Sequence, residues 1–244
     1  MKNIKKIMLN KEKHQLIMGQ ILKDIYTDTS IAPLLGFKGG TCAYFFYGLP
    51  RFSVDLDFDL LKKIDEENQE NVFEKIVGII GKYGIVKDSH IKKFTIFALL
   101  SYGDEDHNIK IEVSTRNLLA NLKDFYSLKE YLGISMLVAK REYLFAGKLA
   151  ALTQRTDMAM RDVYDIYYFG KNNWDFDKKT VEILTGKNFS ECILDSINLV
   201  ESIKENQLLD RIGELVNEKE KSWIKQNLKN EVLFILRNYQ KIIQ

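Results

Sequence analysis

The stretch Arg51-Phe-Ser-Val-Asp-Leu-Asp-Phe-Asp-Leu60 alternates polar and apolar residues along its length. Alternation with a period of two is typical of a β-strand with one buried face. On such a strand the side chains of Asp55, Asp57 and Asp59 point to one face, and the apolar residues between them point to the other. Carboxylates this close repel each other, so they need water, a cation or a raised pKa. Taken alone, the pattern also fits a solvated edge strand with alternating charges.

Upstream of this strand, Gly39-Gly40-Thr41 precedes an apolar run to Tyr47 that predicts a buried helix. Glycines allow the backbone to approach a ligand closely. A helix N-terminus offers free N–H groups to a phosphate. The glycine pair therefore indicates a phosphate-binding turn, and a simple turn without a ligand is the alternative interpretation.

Downstream, Ile109-Lys-Ile-Glu-Val113 alternates again, which places Glu112 on the face opposite to its apolar neighbours. If this strand lies beside the acidic one, Glu112 is a third carboxylate in the same cluster. Mg²⁺ prefers a few carboxylate oxygens together with substrate phosphate, so we predict a divalent metal site at Asp55, Asp57 and Glu112. A glycine pair, an Asp-x-Asp strand and a later isolated acid follow each other in polymerase-β-type nucleotidyltransferases. Two metal ions there would activate the attacking oxygen and stabilise the leaving pyrophosphate.

A second group of candidate residues lies farther along the chain. The predicted helix over residues 134–155 is apolar on nearly all sides and carries Lys148 and Arg155 near one line. A buried cation needs a partner, which is either a nucleoside triphosphate or a structural carboxylate. In the next predicted helix, Asp162 and Asp165 share a face, although their spacing also fits an ordinary helix surface.

The pattern of the sequence changes near residue 125. Before it, the spacing of apolar residues predicts helices over residues 10–27 and 66–83, and a hairpin with a polar loop over residues 94–113. After it, no strand is evident, and helices are predicted over residues 134–155, 158–170, 178–185, 189–204 and 217–243. We therefore predict an α+β protein with an α/β core at residues 1–125 and a helical domain at residues 126–244.

The amino-acid composition limits the classes of function that the protein can have. The chain has 244 residues with 36 basic and 34 acidic side chains, so its net charge of +2 does not by itself require a nucleic-acid partner. The apolar runs are shorter than the 18 residues of a membrane span. Cys42 and Cys192 are the only cysteines, which excludes a disulfide framework and favours a reducing, cytoplasmic location.

Five segments together resemble the AbiEii-type nucleotidyltransferase toxin family, to which the MenT toxins are related. They are Lys38-Gly-Gly-Thr-Cys-Ala43, Arg51-Phe-Ser-Val-Asp-Leu-Asp-Phe58, Ile111-Glu-Val113, Ala146-Gly-Lys-Leu-Ala150 and Arg161-Asp-Val-Tyr-Asp-Ile166. Members of this family are the toxin halves of type IV-classed toxin–antitoxin and phage abortive-infection systems. The resemblance covers residues 38–58 and 109–169, and its most specific part is the glycine pair followed by the Arg-x-Ser-x-Asp-Leu-Asp-Phe strand.

The resemblance implies a polymerase-β-like nucleotidyltransferase core, a mixed sheet with flanking helices, followed by a helical C-terminal bundle. It implies transfer of a nucleoside monophosphate from a nucleoside triphosphate, with Mg²⁺ or Mn²⁺ as cofactor. It further implies an RNA acceptor, the 3′ end of transfer RNA, and a cognate antitoxin encoded nearby. No membrane partner is implied.

The resemblance also assigns roles residue by residue. Gly39, Gly40 and Ser53 would hold phosphate, and Asp55 and Asp57 would bind metal, with Glu112 as the third carboxylate. Lys148 would contact the triphosphate with Arg155 near it, and Asp162 would be the acidic residue of the last family motif. One departure is the glycine pair itself, which replaces the Gly-Ser of general nucleotidyltransferases and loses a hydroxyl group. Thr41 or Ser53 would compensate for that loss.

Two other functions remain open at this point. One is a small-molecule nucleotidyltransferase of the antibiotic-modifying kind, which shares the Asp-x-Asp chemistry. The other is a nucleotide-binding regulator with little transferase chemistry. The complete set of Asp55, Asp57, Glu112 and Lys148 favours an enzyme over a regulator that has lost its chemistry.

Overall fold

The computed structural model describes residues 9–103, 107–155 and 157–241. The strands are β1 (Leu35–Lys38), β2 (Leu56–Leu60), β3 (Ile85–Lys92), β4 (Thr95–Ser101), β5 (Asn108–Ser114), β6 (Tyr126–Tyr131) and β7 (Ile134–Ala139). The α-helices are α1 (Lys11–Thr27), α2 (Gly39–Tyr47), α3 (Glu66–Ile80), α4 (Arg141–Gln154), α5 (Met160–Lys171), α6 (Lys178–Thr185), α7 (Phe189–Glu201), α8 (Glu218–Trp223) and α9 (Lys229–Lys241).

The strands of the described residues form one mixed sheet in the order β3-β4-β5-β2-β1-β7-β6. The central strand β2 runs antiparallel to β1 and parallel to β5. The predicted α+β fold is therefore confirmed. Of the strand predicted over residues 51–60, only Leu56–Leu60 is a strand, and Asp55 lies in the segment that leads into it. Phe37 and Phe58 are directly opposite each other on β1 and β2, and both are fully buried. Their rings lie 5.5 Å apart, so the apolar face of the acidic strand is part of the core.

The helices of the first half follow local rules. Asn10 caps α1 and Asp65 caps α3, each by accepting a hydrogen bond from a backbone N–H of the first turn. The helix α3 packs against β3 and β4. The predicted helices over residues 10–27 and 66–83 are confirmed, as is the antiparallel hairpin of β4 and β5. Residues 104–106 of its polar loop lie outside the described residues.

The expectation of helices alone beyond residue 125 is wrong, because β6 and β7 form a hairpin there. Leu132 and Gly133 connect the two strands, and both have positive φ, 51° and 75°. Two such residues in succession are typical of the tight turn between paired strands. The predicted helix over residues 134–155 is in fact β7 followed by α4, because two adjacent apolar runs cannot be separated by periodicity alone.

The chain forms two compact units. The first contains residues up to Cys42 together with Ser53–Ala139, and the second contains Ala43–Phe52 and Lys140–Gln244. The sheet thus continues beyond the predicted boundary at residue 125, since β7 pairs in parallel with β1.

The second unit is helical in its described part. The helix α4 packs against α5, α6 and α7, and α9 packs against α5 and α7. The rings of Phe169 and Trp174 stack at 4.1 Å within it. The predicted helical C-terminal region is confirmed. No helix in the three described ranges is both long and apolar enough to span a bilayer.

Candidate active site

The predicted neighbour relation between the acidic strand and the later acid is present in the first unit. Asp57 on β2 is directly opposite Glu112 on β5 and directly opposite Lys38 on β1. Residues directly opposite each other in a sheet project to the same face. The two carboxylates are therefore neighbours on one face of the sheet, as the alternation predicted.

The surroundings of Asp57 disfavour the charged form of its carboxyl group. Burial raises the pKa of the Asp57 carboxyl, and the nearby carboxylate of Asp55 raises it further, whereas the ammonium group of Lys110 lowers it. Lys110 itself lies between two carboxylates, with its Nζ 2.7 Å from Glu112 Oε2 and 3.6 Å from Asp55 Oδ2. In the free protein a lysine thus supplies part of the positive charge that these carboxylates need.

Asp59 has a different environment from Asp55 and Asp57. Its carboxylate is 2.5 Å from Lys38 Nζ and accepts a hydrogen bond of 2.7 Å from the Tyr126 hydroxyl. It is buried. The charge of Asp59 is therefore balanced within the fold. Asp55, in the segment that leads into β2, and Asp57, on β2, are left as the candidate ligands there.

The glycine pair places the backbone against Asp57. Gly39 begins α2 with φ +82°, a conformation that favours glycine. A Cβ atom at Gly39 would lie 2.4 Å from Asp57 Oδ2, so a side chain larger than hydrogen is excluded there. Gly40, the next residue of the helix, is buried. The two glycines thus bring a helix N-terminus, with its free N–H groups, directly beside a candidate ligand.

Two side chains hold the segment that enters the acidic strand. The Thr41 hydroxyl donates to the carbonyl oxygen of Asp55 and lies 2.9 Å from Ser53 Oγ. The buried ring of His14 places Nε2 3.0 Å from the carbonyl oxygen of Val54. The segment therefore satisfies its backbone through Thr41 and His14 before β2 begins, which fixes the position of Asp55.

His14 has a defined protonation pattern. Since Nε2 faces a carbonyl oxygen, it carries the proton, and Nδ1 accepts a hydrogen bond of 2.5 Å from the Tyr102 hydroxyl. Burial lowers the pKa of His14. The neutral ring thus connects α1 to Val54, at the entrance of β2, and to Tyr102, which follows β4.

The described residues contain no group of three or more His, Cys, Asp or Glu side chains close enough to hold a metal ion. Glu112 pairs with Lys110 instead of joining Asp55 and Asp57. Mg²⁺ nevertheless needs only one or two protein carboxylates when substrate phosphate completes its shell. The hard oxygen donors of Asp55 and Asp57 fit such a cation.

The second unit brings Lys148 and two aspartates together. Lys148 Nζ is 2.6 Å from Asp162 Oδ1 and 2.8 Å from Asp165 Oδ2. The lysine side chain is 14% exposed and the two carboxylates are buried. The possibility that only a nucleotide neutralises Lys148 is therefore wrong, because two carboxylates of α5 already do so in the free protein.

Two arginines complete this cluster. Arg51 donates from Nε and Nη2 to the two oxygens of Asp165, each at 2.6 Å. Arg155 Nε is 3.2 Å from Asp162 Oδ2, and its side chain is 39% exposed. Burial opposes ionisation of Asp162, but the charges of Lys148 and Arg155 outweigh it and hold the pKa of Asp162 below its usual value. We call Arg51, Asp165, Lys148, Asp162 and Arg155 the ion-pair chain.

The predicted site residues thus fall into two assembled groups. Within the first unit, the fold gathers Gly39, Gly40, Ser53, Asp55, Asp57 and Glu112. Within the second unit, it gathers Lys148, Arg155 and Asp162. Sequence reasoning did not assign Arg51, Lys110 or His14. The alternation at residues 109–113 already placed Lys110 on the face of Glu112, whereas no local pattern marks a buried Arg51 or His14.

Comparisons with known proteins agree with this geometry. A family model described as nucleotidyl transferase AbiEii toxin of a type IV toxin–antitoxin system matches residues 20–238. Among solved structures, the chain is similar to a candidate nucleotidyltransferase of Helicobacter pylori, with a TM-score of 0.61 and 22% identity over 97% of each chain. It is also similar to JHP933 of Helicobacter pylori, with a TM-score of 0.55 and 21% identity over 97% of this chain and 98% of the other. No curated protein matches the chain.

Proposed function

Because the chain belongs to the AbiEii nucleotidyl transferase toxin family, we propose that it transfers a nucleoside monophosphate from a nucleoside triphosphate to the 3′ end of a transfer RNA. The observation that carries this proposal is the register of β2 and β5, which sets Asp57 directly opposite Glu112 beside the glycine pair. In the reaction, the 3′ hydroxyl oxygen of the RNA attacks the α-phosphorus. A new phosphodiester forms, pyrophosphate leaves, and the hydroxyl proton is released.

Asp55 and Asp57 are the residues that would hold Mg²⁺ or Mn²⁺, with Glu112 as a third ligand. Such an ion neutralises the charge that develops on the reacting phosphate and on the leaving pyrophosphate. The raised pKa of Asp57 supports this assignment, because a cation relieves the same burial and repulsion that raise it. Lys110 holds Asp55 and Glu112 in the free protein and would compete with the ion.

The remaining residues would bind and orient the triphosphate. Gly39 and Gly40 supply backbone N–H groups at the start of α2, where an anion is favoured. Ser53, which contacts Thr41, adds a hydroxyl group to compensate for the missing serine of the first motif. Lys148 and Arg155 supply positive charge, and the greater exposure of Arg155 makes its guanidinium the more accessible phosphate partner.

Family membership implies a cognate antitoxin, and we propose that it is encoded nearby and that the pair acts in abortive infection by phage. Expression of the chain alone should then arrest growth, and co-expression of the neighbouring gene should restore it. Growth arrest that persists in the Asp57→Asn variant would contradict toxicity through nucleotidyl transfer.

The acceptor is tested by supplying each of the four nucleoside triphosphates, labelled at the α-phosphate, with Mg²⁺ and separate acceptor pools. The pools are total transfer RNA, the same RNA with its 3′ hydroxyl oxidised by periodate, and an aminoglycoside mixture. We expect label only in the untreated transfer RNA. Label in the aminoglycosides alone would support the small-molecule alternative, and nucleotide binding without any transfer would support the regulator.

A further inference from the structure

The row of directly opposed residues that contains Asp57 and Glu112 continues to the edge of the sheet. Glu112 on β5 is opposite Phe97 on β4, and Phe97 is opposite His90 on β3. All of these side chains project to one face, because opposed residues of neighbouring strands do so. Neighbouring strands lie about 4.8 Å apart, so Phe97 is one strand away from Glu112. An aromatic surface thus adjoins the predicted metal ligands.

His90 and Phe97 form the centre of this surface. Their rings stack with centroids 4.8 Å apart and an angle of 18°. His90 Nδ1 lies 3.3 Å from Asp88 Oδ1, whereas Nε2 is buried and has no hydrogen-bond partner among the described residues. Phe97 is half-buried, although the alternate residues of β4 that face the core are fully buried. A half-buried stacked aromatic pair matches the chemistry of a nucleobase, which stacks on aromatic side chains.

Cations surround the aromatic rings. Lys92 Nζ lies 5.4 Å from the centroid of Phe97. In the turn between β3 and β4, Phe94 is 46% exposed and has both Lys93 Nζ at 5.2 Å and the guanidinium carbon of Arg116 at 5.8 Å from its centroid. Aromatic side chains interleaved with cations are typical of surfaces that bind single-stranded nucleic acid, since bases stack on rings and phosphates meet positive charge. We call His90, Phe97, Lys92, Phe94, Lys93 and Arg116 the β3–β4 surface.

We propose that the β3–β4 surface binds the single-stranded 3′ end of the RNA acceptor and directs its terminal hydroxyl toward the row of Glu112 and Asp57. This inference rests on the proposed function and names the place of its second substrate. A nucleobase with an attached phosphate could also come from the nucleoside triphosphate. One feature favours the polynucleotide: Lys92, Lys93 and Arg116 lie around the turn between β3 and β4, three strands away from β1 and the glycine pair that follows it.

The test measures binding of a fluorescein-labelled oligoribonucleotide of ten nucleotides by anisotropy, with the full chain. Phe97→Ala should weaken binding roughly 5- to 150-fold, the effect of losing one stacked base, and Phe97→Tyr should retain it. Lys92→Ala should lower the slope of log Kd against log salt by about 0.7, the value for one phosphate contact on a single strand. Leu128→Ala is the control, because Leu128 is 70% exposed on β6 at the opposite edge of the same sheet.

The same variants are titrated with nucleoside triphosphates to distinguish the two sources of the nucleobase. We expect unchanged triphosphate affinity in Phe97→Ala, together with a raised KM for RNA. Weakened triphosphate affinity with unchanged RNA affinity would overturn the inference, and so would equal RNA affinity in Phe97→Ala, Phe97→Tyr and wild type. If Phe97→Ala loses RNA binding but the wild-type protein transfers no nucleotide, the result supports the RNA-binding surface and contradicts the proposed function. Thermal melts of each variant separate these results from loss of the fold, and Phe97→Leu replaces Phe97→Ala if the latter unfolds.

Discussion

Arg51 and Asp165 form an ion pair with two parallel hydrogen bonds of 2.6 Å, although 114 positions separate them in the sequence. Their side chains are 1% and 0% exposed. Asp165 also forms an ion pair with Lys148, and the ion-pair chain continues through Asp162 to Arg155. Three cations therefore face two carboxylates, which leaves an excess of positive charge. Removal of one partner from the buried part of the ion-pair chain would leave a buried charge uncompensated, and the more exposed end at Arg155 is suited to an anion.

The first prediction concerns the pair itself. Arg51→Met should lower the free energy of unfolding by about 3–5 kcal/mol, because it leaves Asp165 buried with one partner fewer. Arg51→Lys should recover only part of this loss, since a lysine cannot make two parallel hydrogen bonds to a carboxylate. Urea melts measure both variants. Arg237→Met is the control, because that arginine pairs with Glu201 in exposed positions and should change stability by less than about 1 kcal/mol. Equal melting of Arg51→Met and Arg237→Met would contradict the prediction.

Lys148 is predicted to have a structural role in addition to its proposed contact with the triphosphate. Lys148→Met keeps the aliphatic stem and removes the charge, so Asp162 and Asp165 each lose one partner. We expect a loss of about 3 kcal/mol, the lower end of the range for a broken buried pair, since both arginines remain. Denaturant melts of the free protein and nucleotide titrations of the same samples measure the two roles separately. A variant as stable as wild type would show that the pairs contribute nothing, and unchanged nucleotide affinity would remove Lys148 from the triphosphate site.

Asp57 is predicted to make stability depend on pH. Burial and Asp55 raise the pKa of Asp57 in the folded state, so the folded protein binds this proton more tightly than the unfolded chain. The stabilising contribution is complete below the unfolded pKa of about 3.9 and is lost as pH rises through the folded pKa. Asp57→Asn should therefore be more stable than wild type at pH 7, and the difference should shrink in acid. Thermal melts from pH 4 to 7.5 measure this difference, and a constant difference across that range would exclude the titration of Asp57 as its cause.

The competition between Lys110 and a metal ion gives another prediction. Lys110→Met should bind Mn²⁺ more tightly in the absence of nucleotide, because its ammonium group no longer neutralises Asp55 and Glu112. Glu112→Gln should bind Mn²⁺ more weakly if Glu112 is a third ligand. Electron paramagnetic resonance of free Mn²⁺ measures both affinities, with Glu130→Gln on the exposed part of β6 as the matched control. If Lys110→Met and Glu112→Gln both bind like wild type, the assignment of Glu112 as a ligand is wrong.

The sequence was sufficient to predict the elements whose pattern is strong. The alternation around Asp57 and Glu112 predicted two strands with one acidic face, and their register confirms the face that they share. In contrast, β3 was not predicted, because it is an exposed edge strand with a bulge between Val86 and Asp88 and few apolar residues to alternate. The hairpin of β6 and β7 was missed although Gly133 marks its turn, because the apolar run of β7 merges with that of α4.

The partners of charged residues were the least predictable part of the site. Helical periodicity indicated that Lys148 is partly buried, but the choice between a nucleotide and a carboxylate depends on how α4 and α5 pack. Arg51 belongs to the motif that defines the acidic strand, yet its partner Asp165 lies on a helix far along the chain. Such contacts between distant segments follow from tertiary packing and have no local spacing that could reveal them.

The most direct test of nucleotidyl transfer compares two labels on the same nucleoside triphosphate, one at the α-phosphate and one at the γ-phosphate. With Mg²⁺ and transfer RNA, we expect the α-label in the RNA and the γ-label in pyrophosphate, because the bond between the α- and β-phosphates is the one that breaks. Asp57→Asn should lower the rate of α-label transfer by at least about 100-fold, since loss of a metal ligand removes several kcal/mol of transition-state stabilisation. Transfer of the γ-label to the RNA, or transfer of the α-label by Asp57→Asn at the wild-type rate, would contradict a metal-dependent nucleotidyltransferase centred on Asp57.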